Sequence, residues 1–247
     1  MTSRGEMRIL PDASAVAAAV ADLLVATGQA AIAERKCFRV ALSGGNTPRT
    51  AYQLLAQAPR RDALNWDEVC VYFGDERCVP PENAESNYRM ASEAFLDAVP
   101  IPPGNVHRIK GEIDPGHAAN QYASILRADL EDPPRFDLVL LGLGPDGHTA
   151  SLFPGTPPDT DGAELVRAVY AESQDMWRVT ITPKLINLAH TVAFAIEGAE
   201  KADILATVFE GPIDPTRYPA QVVHPRSGKL LWLVDRAAAG KLATVPS

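Results

Sequence analysis

Asp146 and His148 stand two residues apart in the segment Gly142-Leu-Gly-Pro-Asp-Gly-His-Thr149. A carboxylate beside an imidazole orients the ring and raises its basicity, which makes a general base. Spaced by two in an extended loop, both side chains can point the same way, and the flanking glycines expose them. The segment also spells G-x-G-x-x-G, the dinucleotide fingerprint. That assignment is rejected, because Pro154 and the Pro/Gly-rich stretch behind it leave no room for the long helix the fingerprint requires.

Other chemistry-bearing residues fall in three short segments. Ser43-Gly44-Gly45-Asn46-Thr47-Pro48 has two glycines that let backbone N–H groups approach an anion, and hydroxyls at Ser43 and Thr47. A helix starting there would add its positive end, giving a phosphate cradle. It lacks the lysine and spacing of a Walker A loop, so a nucleoside triphosphate is not favoured. Gly74-Asp75-Glu76-Arg77 sets an acid beside a base, and the Arg77 guanidinium can fork onto a phosphate. In Gly198-Ala-Glu-Lys201 the lysine would sit in a first helical turn, a mild cost that an anion bound there would offset.

Positioning these residues requires an α/β framework. Apolar runs predict strands at Phe38–Leu42, Val69–Phe73, Phe136–Gly142, Val179–Thr182, Thr191–Ile196 and Leu230–Asp235, with weaker ones at Val106–Ile109 and Leu165–Val169. Helical patterns fall at Asp12–Glu34, Pro48–Ala56, Ser86–Asp97, Gly116–Leu130, Pro183–Leu188, Glu200–Glu210 and Ala237–Leu242. The alternation predicts a Rossmann-like, mostly parallel sheet with helices on both faces. In such sheets ligands bind beyond the carboxyl ends of the strands, where all four segments fall. No linker divides residues 1–247, so one domain is expected. The stretch Pro154–Gly162 reads as an active-site loop.

Composition narrows the function further. The 247 residues carry 23 Lys and Arg against 31 Asp and Glu, a formal net charge of −8. This argues against a nucleic-acid partner, which would call for a basic stripe. No unbroken apolar run of about 18 residues occurs, so neither a transmembrane helix nor a membrane partner is expected. The amino terminus lacks the apolar core of a signal peptide. The Ala-rich stretch Ala13–Ala33 is interrupted by Asp22 and Gln29 and has helical character. Cys37, Cys70 and Cys78 show neither paired spacing nor C-x-x-C and read as small buried hydrophobes in a reducing, cytoplasmic setting. Arg77 could activate Cys78, but no histidine lies beside it for catalysis.

Five segments together resemble the 6-phosphogluconolactonase family: Ala41–Pro48, Tyr72–Pro80, Gly142–Pro154, Arg178–Pro183 and Gly198–Ala202. The resemblance covers nearly the whole chain. It implies hydrolysis of 6-phosphoglucono-1,5-lactone in the oxidative pentose phosphate pathway, a small-molecule substrate, and no metal or organic cofactor. It leans towards a monomer. It implies that His148 is the catalytic histidine, with Asp146 fixing its tautomer. Ser43, Gly44, Gly45, Thr47, Arg77 and Lys201 match positions that hold the 6-phosphate and sugar; Asp75 and Arg178 are further candidates for substrate contact. The related glucosamine-6-phosphate deaminases share Gly-Pro-Asp-Gly-His but carry a glutamate where this chain has Phe153, and D-E-Y where it has Asp75-Glu76-Arg77. A third possibility is a regulator that binds sugar phosphates without catalysis. The Asp146/His148 pair argues against that, since a pure binder needs no general base.

Overall fold

The computed structural model describes residues 4–130, 132–155 and 159–243. In chain order the strands are β1 (Glu6–Leu10), β2 (Phe38–Leu42), β3 (Val69–Phe73), β4 (Asp75–Arg77), β5 (Val106–His107), β6 (Leu138–Leu141), β7 (Val166–Ala171), β8 (Met176–Ile181), β9 (Thr191–Ile196) and β10 (Lys229–Asp235). The helices are α1 (Ala13–Arg35), α2 (Asn46–Leu55), α3 (Asn87–Ala94), α4 (Pro115–Asp129), α5 (Pro183–Leu188) and α6 (Ala202–Glu210). Seven strands form one parallel sheet in the order β1-β10-β9-β6-β2-β3-β5. The other three form an antiparallel sheet, β4-β8-β7. This is the expected α/β class, a mostly parallel sheet with flanking helices.

The central parallel strands are mostly apolar because helices cover both of their faces. Every residue of β6 is buried, as are four of the five in both β2 and β3. Helix α1 begins at Asp12, whose carboxylate accepts from the Ala15 amide at 2.9 Å. Its Val16, Ala17, Val20, Ala21, Leu24, Gly28 and Ala31 form a stripe at helical spacing, buried against α2, β2, β9 and β10. Among the described helices α1 has the length and hydropathy of a membrane span. Here one of its faces packs on the sheet.

Several boundaries differ from expectation. β1 was not anticipated; its Glu6 and Arg8 pair with each other at 2.7 Å on a charged edge strand, with Met7 buried between them. β6 is shorter than Phe136–Gly142; just before it the Asp137 amide still donates to the Arg39 carbonyl, and the Asp137 carboxylate accepts from Arg35 and the Arg39 amide. Asp75–Arg77, read as a loop, is strand β4 of the small sheet. Residues 96–98 and 238–241 form 3₁₀ turns where α-helix was expected. Part of the expected loop Pro154–Gly162, residues 156–158, lies outside the described residues.

Candidate active site

At the end of β2 the chain enters Ser43-Gly44-Gly45 and then α2. The phenol of Tyr52, on α2, accepts from the Ser43 amide at 3.2 Å and donates to the Ser43 carbonyl at 3.0 Å. Complete burial pushes this phenol up, so it stays protonated as a donor. Gly44 lies so close to Asn87 that an added Cβ would sit 2.0 Å from its Oδ1. Gly45, at φ +109°, caps α2 without a side-chain hydrogen bond. Thr47 therefore lies inside the helix rather than at its cap. The first-turn amides of α2 have no intrahelical partner, so the positive end of the helix is open. The buried Ser43 hydroxyl also has no partner.

β3 ends in the same way. Tyr122, on α4, accepts from the Phe73 amide at 2.8 Å and donates to its carbonyl at 3.1 Å. The chain then turns at Gly74 into β4, where alternate side chains point to opposite sides. Asp75 and Arg77 face the cleft. Glu76 points away and accepts from Ser86 Oγ and from the amides of Arg77, Asn87 and Tyr88 at 2.7–3.0 Å. Burial pushes the Glu76 carboxyl up, against those amide donors. Its role is to pin the start of α3. The Asp75 carboxylate accepts from Ser151 Oγ at 2.6 Å and from Asn87 Nδ2 at 3.3 Å.

Arg77 and Arg178 are register partners across β4 and β8. Arg178 is 5% exposed, and the Nε atoms of both arginines are buried without a partner. Arg77 Nη1 donates to the Glu85 carbonyl and Arg178 Nη2 to Gln174 Oε1. Burial, then the neighbouring Arg77 charge, lowers the basicity of Arg178. Two adjacent guanidinium groups with unfilled donors suit an anion.

His148 is held from several sides. Asp146 Oδ1 lies 2.5 Å from its Nδ1 and accepts from its amide at 3.1 Å. Burial opposes ionisation of Asp146, but hydrogen bonds and charge from His148 outweigh it and hold the carboxyl below its usual range. An ionised Asp146 can only accept there, so it favours the tautomer with the proton on Nδ1 and the Nε2 lone pair free. The Gly144 amide donates to the His148 carbonyl at 2.8 Å, and the imidazole lies against Gly144, where a Cβ would come within 2.1 Å of the ring. Phe153 packs on the imidazole with centroids 4.9 Å apart. At the end of β9, Lys201 closes a 3₁₀ turn and stands at the N-cap of α6, one residue before the helical turn expected for it.

These pieces enclose one cleft of about 450 Å³. Ser43, Gly44, Gly45, Thr47, Asp75, Arg77, His148, Arg178 and Lys201 all line it. Asp146 does not; it reaches the cleft through the imidazole. Among the described residues no three His, Cys, Asp or Glu side chains gather as a metal site.

The profile described as glucosamine-6-phosphate isomerases/6-phosphogluconolactonase matches residues 11–232. The chain belongs to this family. It is 44% identical to a 6-phosphogluconolactonase of Synechocystis sp. over 217 residues, 86% of this chain and 88% of the relative. It is 37% identical to one of Haemophilus influenzae over 199 residues, 81% of this chain and 85% of the relative. The structure of 6-phosphogluconolactonase from Trypanosoma brucei superimposes with a TM-score of 0.86 at 28% identity, covering 98% of this chain and all of that one.

Reading the sequence did not single out Asn87, Ser151 and Gln174, which line the cleft, nor Phe153 as a packing partner of the imidazole. Asn87 falls inside the expected helix Ser86–Asp97, and Ser151 lies two residues past the bridge-forming Thr149. Nothing local marks either as a partner of Asp75, which lies in a different element from Asn87 and 76 residues from Ser151.

Proposed function

We propose that this chain hydrolyses 6-phosphoglucono-1,5-lactone to 6-phosphogluconate, with His148 as general base. Named relatives across most of the chain support the activity. The observation that carries the residue roles is the anchored imidazole. Asp146 holds Nδ1, Gly144 sets the ring position, and Nε2 is left for the cleft.

The chemistry follows from the substrate being a cyclic ester. Water attacks the carbonyl carbon while Nε2 takes its proton. The tetrahedral oxyanion is stabilised by amide donors of the glycine turns. As it collapses, the bond to the ring oxygen breaks, and the imidazolium returns the proton to that oxygen. Arg77, Arg178 and Lys201 hold the phosphate and sugar together with the Ser43–Thr47 cradle. Asp75, fixed by Ser151 and Asn87, contacts the sugar. Phe153 has no proton to give, which disfavours the ring opening a deaminase needs.

We also infer one domain, because a single hydrophobic cluster runs from Met7 to Ala239 and takes in Val166, Val179 and Ile181 of the small sheet. We take the monomer as the working unit, as the family resemblance implies. The net charge of −8 leaves no case for nucleic acid, and a cytoplasmic, membrane-free setting is the reading we adopt.

The test supplies freshly generated lactone and, separately, glucosamine 6-phosphate. Hydrolysis well above the spontaneous rate, without ammonia release from the amino sugar, is the expected result. Brisk ammonia release with no lactonase activity would overturn the assignment.

A further inference from the structure

Cys37 and Cys70 take no part in the cleft. Cys37 joins the left-handed end of α1 at Lys36 to β2, and Cys70 is the second residue of β3. Arg39 is the register partner of Cys70, so residues 37 and 70 project from the same face of the sheet. Their sulfurs stand 3.5 Å apart. Both residues are half-buried, not fully enclosed as the sequence suggests, so a small oxidant can reach them. The hydrogen bond with Cys70 pulls the Cys37 thiol down to about 7 against its burial, with Arg39 assisting. The same contact and burial push the Cys70 thiol up. One sulfur is thus nucleophilic while its neighbour keeps its proton.

We propose that Cys37 and Cys70 form a peroxide-reactive dithiol that closes into a reversible disulfide. The Cys37 thiolate attacks one peroxide oxygen; the O–O bond breaks, leaving a sulfenic acid and a hydroxide that takes up a proton as water. The Cys70 sulfur then attacks the Cys37 sulfur. The S–S bond forms, the S–O bond breaks, and the departing hydroxide leaves as water with the Cys70 proton. In sum, the two sulfurs lose two electrons and one peroxide becomes two waters. Starting from 3.5 Å, the sulfurs need to close by roughly 1.5 Å, within reach of small side-chain rotations.

The location sets the consequence. β2 and β3 deliver the phosphate cradle and the Asp75/Arg77 strand at their carboxyl ends, whereas the thiols sit at the opposite ends. The bond would staple the two strands and restrict the unfolded chain without touching the cleft. Cys78 is an internal control: burial, then Glu76, pushes its thiol up to about 11, away from reactivity.

The experiment treats the native full chain with hydrogen peroxide, alkylates the remaining thiols and maps the peptides. We expect a linked Cys37–Cys70 peptide lighter by two hydrogens, Cys78 alkylated, and Tm raised by several degrees with lactonase rate unchanged. Dithiothreitol should reverse both the link and the Tm shift. In Cys70→Ser, Cys37 has no resolving thiol and should pass to the sulfinic acid. Three alkylated thiols after treatment, a link to Cys78, a disulfide between two chains, or Cys37 sulfinic acid in the unsubstituted protein would each overturn the proposal.

Discussion

In the seven-stranded sheet the central strands are mostly apolar and the chemistry lies beyond their ends; in the three-stranded sheet the strands themselves carry it. Sandwiched by helices, β3, β6 and β9 carry no charge and β2 only the half-buried Arg39 near its amino end, because a charge deeper inside would be buried without water. Their contributions to the cleft are therefore glycine turns: Ser43–Gly45, Gly142–His148 and Gly198–Lys201. The small sheet turns one face to the cleft. Alternation alone then places Asp75, Arg77 and Arg178 inside it and sends Glu76 to the start of α3. On the roles proposed above, the difference divides labour: the large sheet would supply the base and the cradle, and the small sheet the paired guanidinium grip.

Substitutions can separate the two contributions. The largest expected effect among supporting residues is Gly144→Ala. Its Cβ would come within 2.1 Å of the His148 ring, so the imidazole must move. We expect kcat to fall by roughly 10²-fold with KM little changed, because misplacing a catalytic group costs about that much. Arg178→Met attacks the small sheet instead. Losing one charged contact, worth about 1.5–3 kcal/mol, should raise KM by roughly 10–100-fold with kcat nearly intact. A fall in kcat at constant KM for Arg178→Met would erase the division of labour.

Tyr52→Phe probes the clamp on the large sheet. It leaves the Ser43 amide and carbonyl unpaired in a buried position, and stability measured by urea unfolding should drop by about 1–3 kcal/mol. The smallest effect concerns pH. Asp146 has its carboxyl held below the usual range in the folded chain. It therefore adds stability above its unfolded-state pKa, and that contribution fades as the pH falls through the folded value. The carboxylate is 42% exposed, so solvent screens the effect. Comparing urea midpoints at neutral and acid pH, Asp146→Asn should show a slightly shallower acid loss than the unsubstituted chain.

The same contrast explains what the sequence made legible. Phe38–Leu42, Val69–Phe73 and Thr191–Ile196 fall on the observed strands to the residue, because doubly buried strands read as largely apolar runs. Their glycine turns announce themselves by composition. β4 did not: three charged residues resemble a solvated loop, and their strand character comes from pairing with β8 across about a hundred residues of chain. β1 was hidden likewise, as a charged edge strand zipped onto β10 from the far end of the sequence. Tyr52 and Tyr122 lie on helices, and helical periodicity marks them as core without showing that each phenol secures the end of a strand. The start of α6 and the last turn moved because 3₁₀ and α-helix share a sequence pattern.

The most direct test of the central claim is steady-state hydrolysis of fresh 6-phosphogluconolactone by His148→Ala, with 6-phosphogluconate binding measured on the same preparation. A general base contributes about 10²–10⁴-fold. We expect kcat to fall by that factor while product affinity stays within a few-fold of the unsubstituted chain. An unchanged kcat, or a loss confined to binding, would contradict the account.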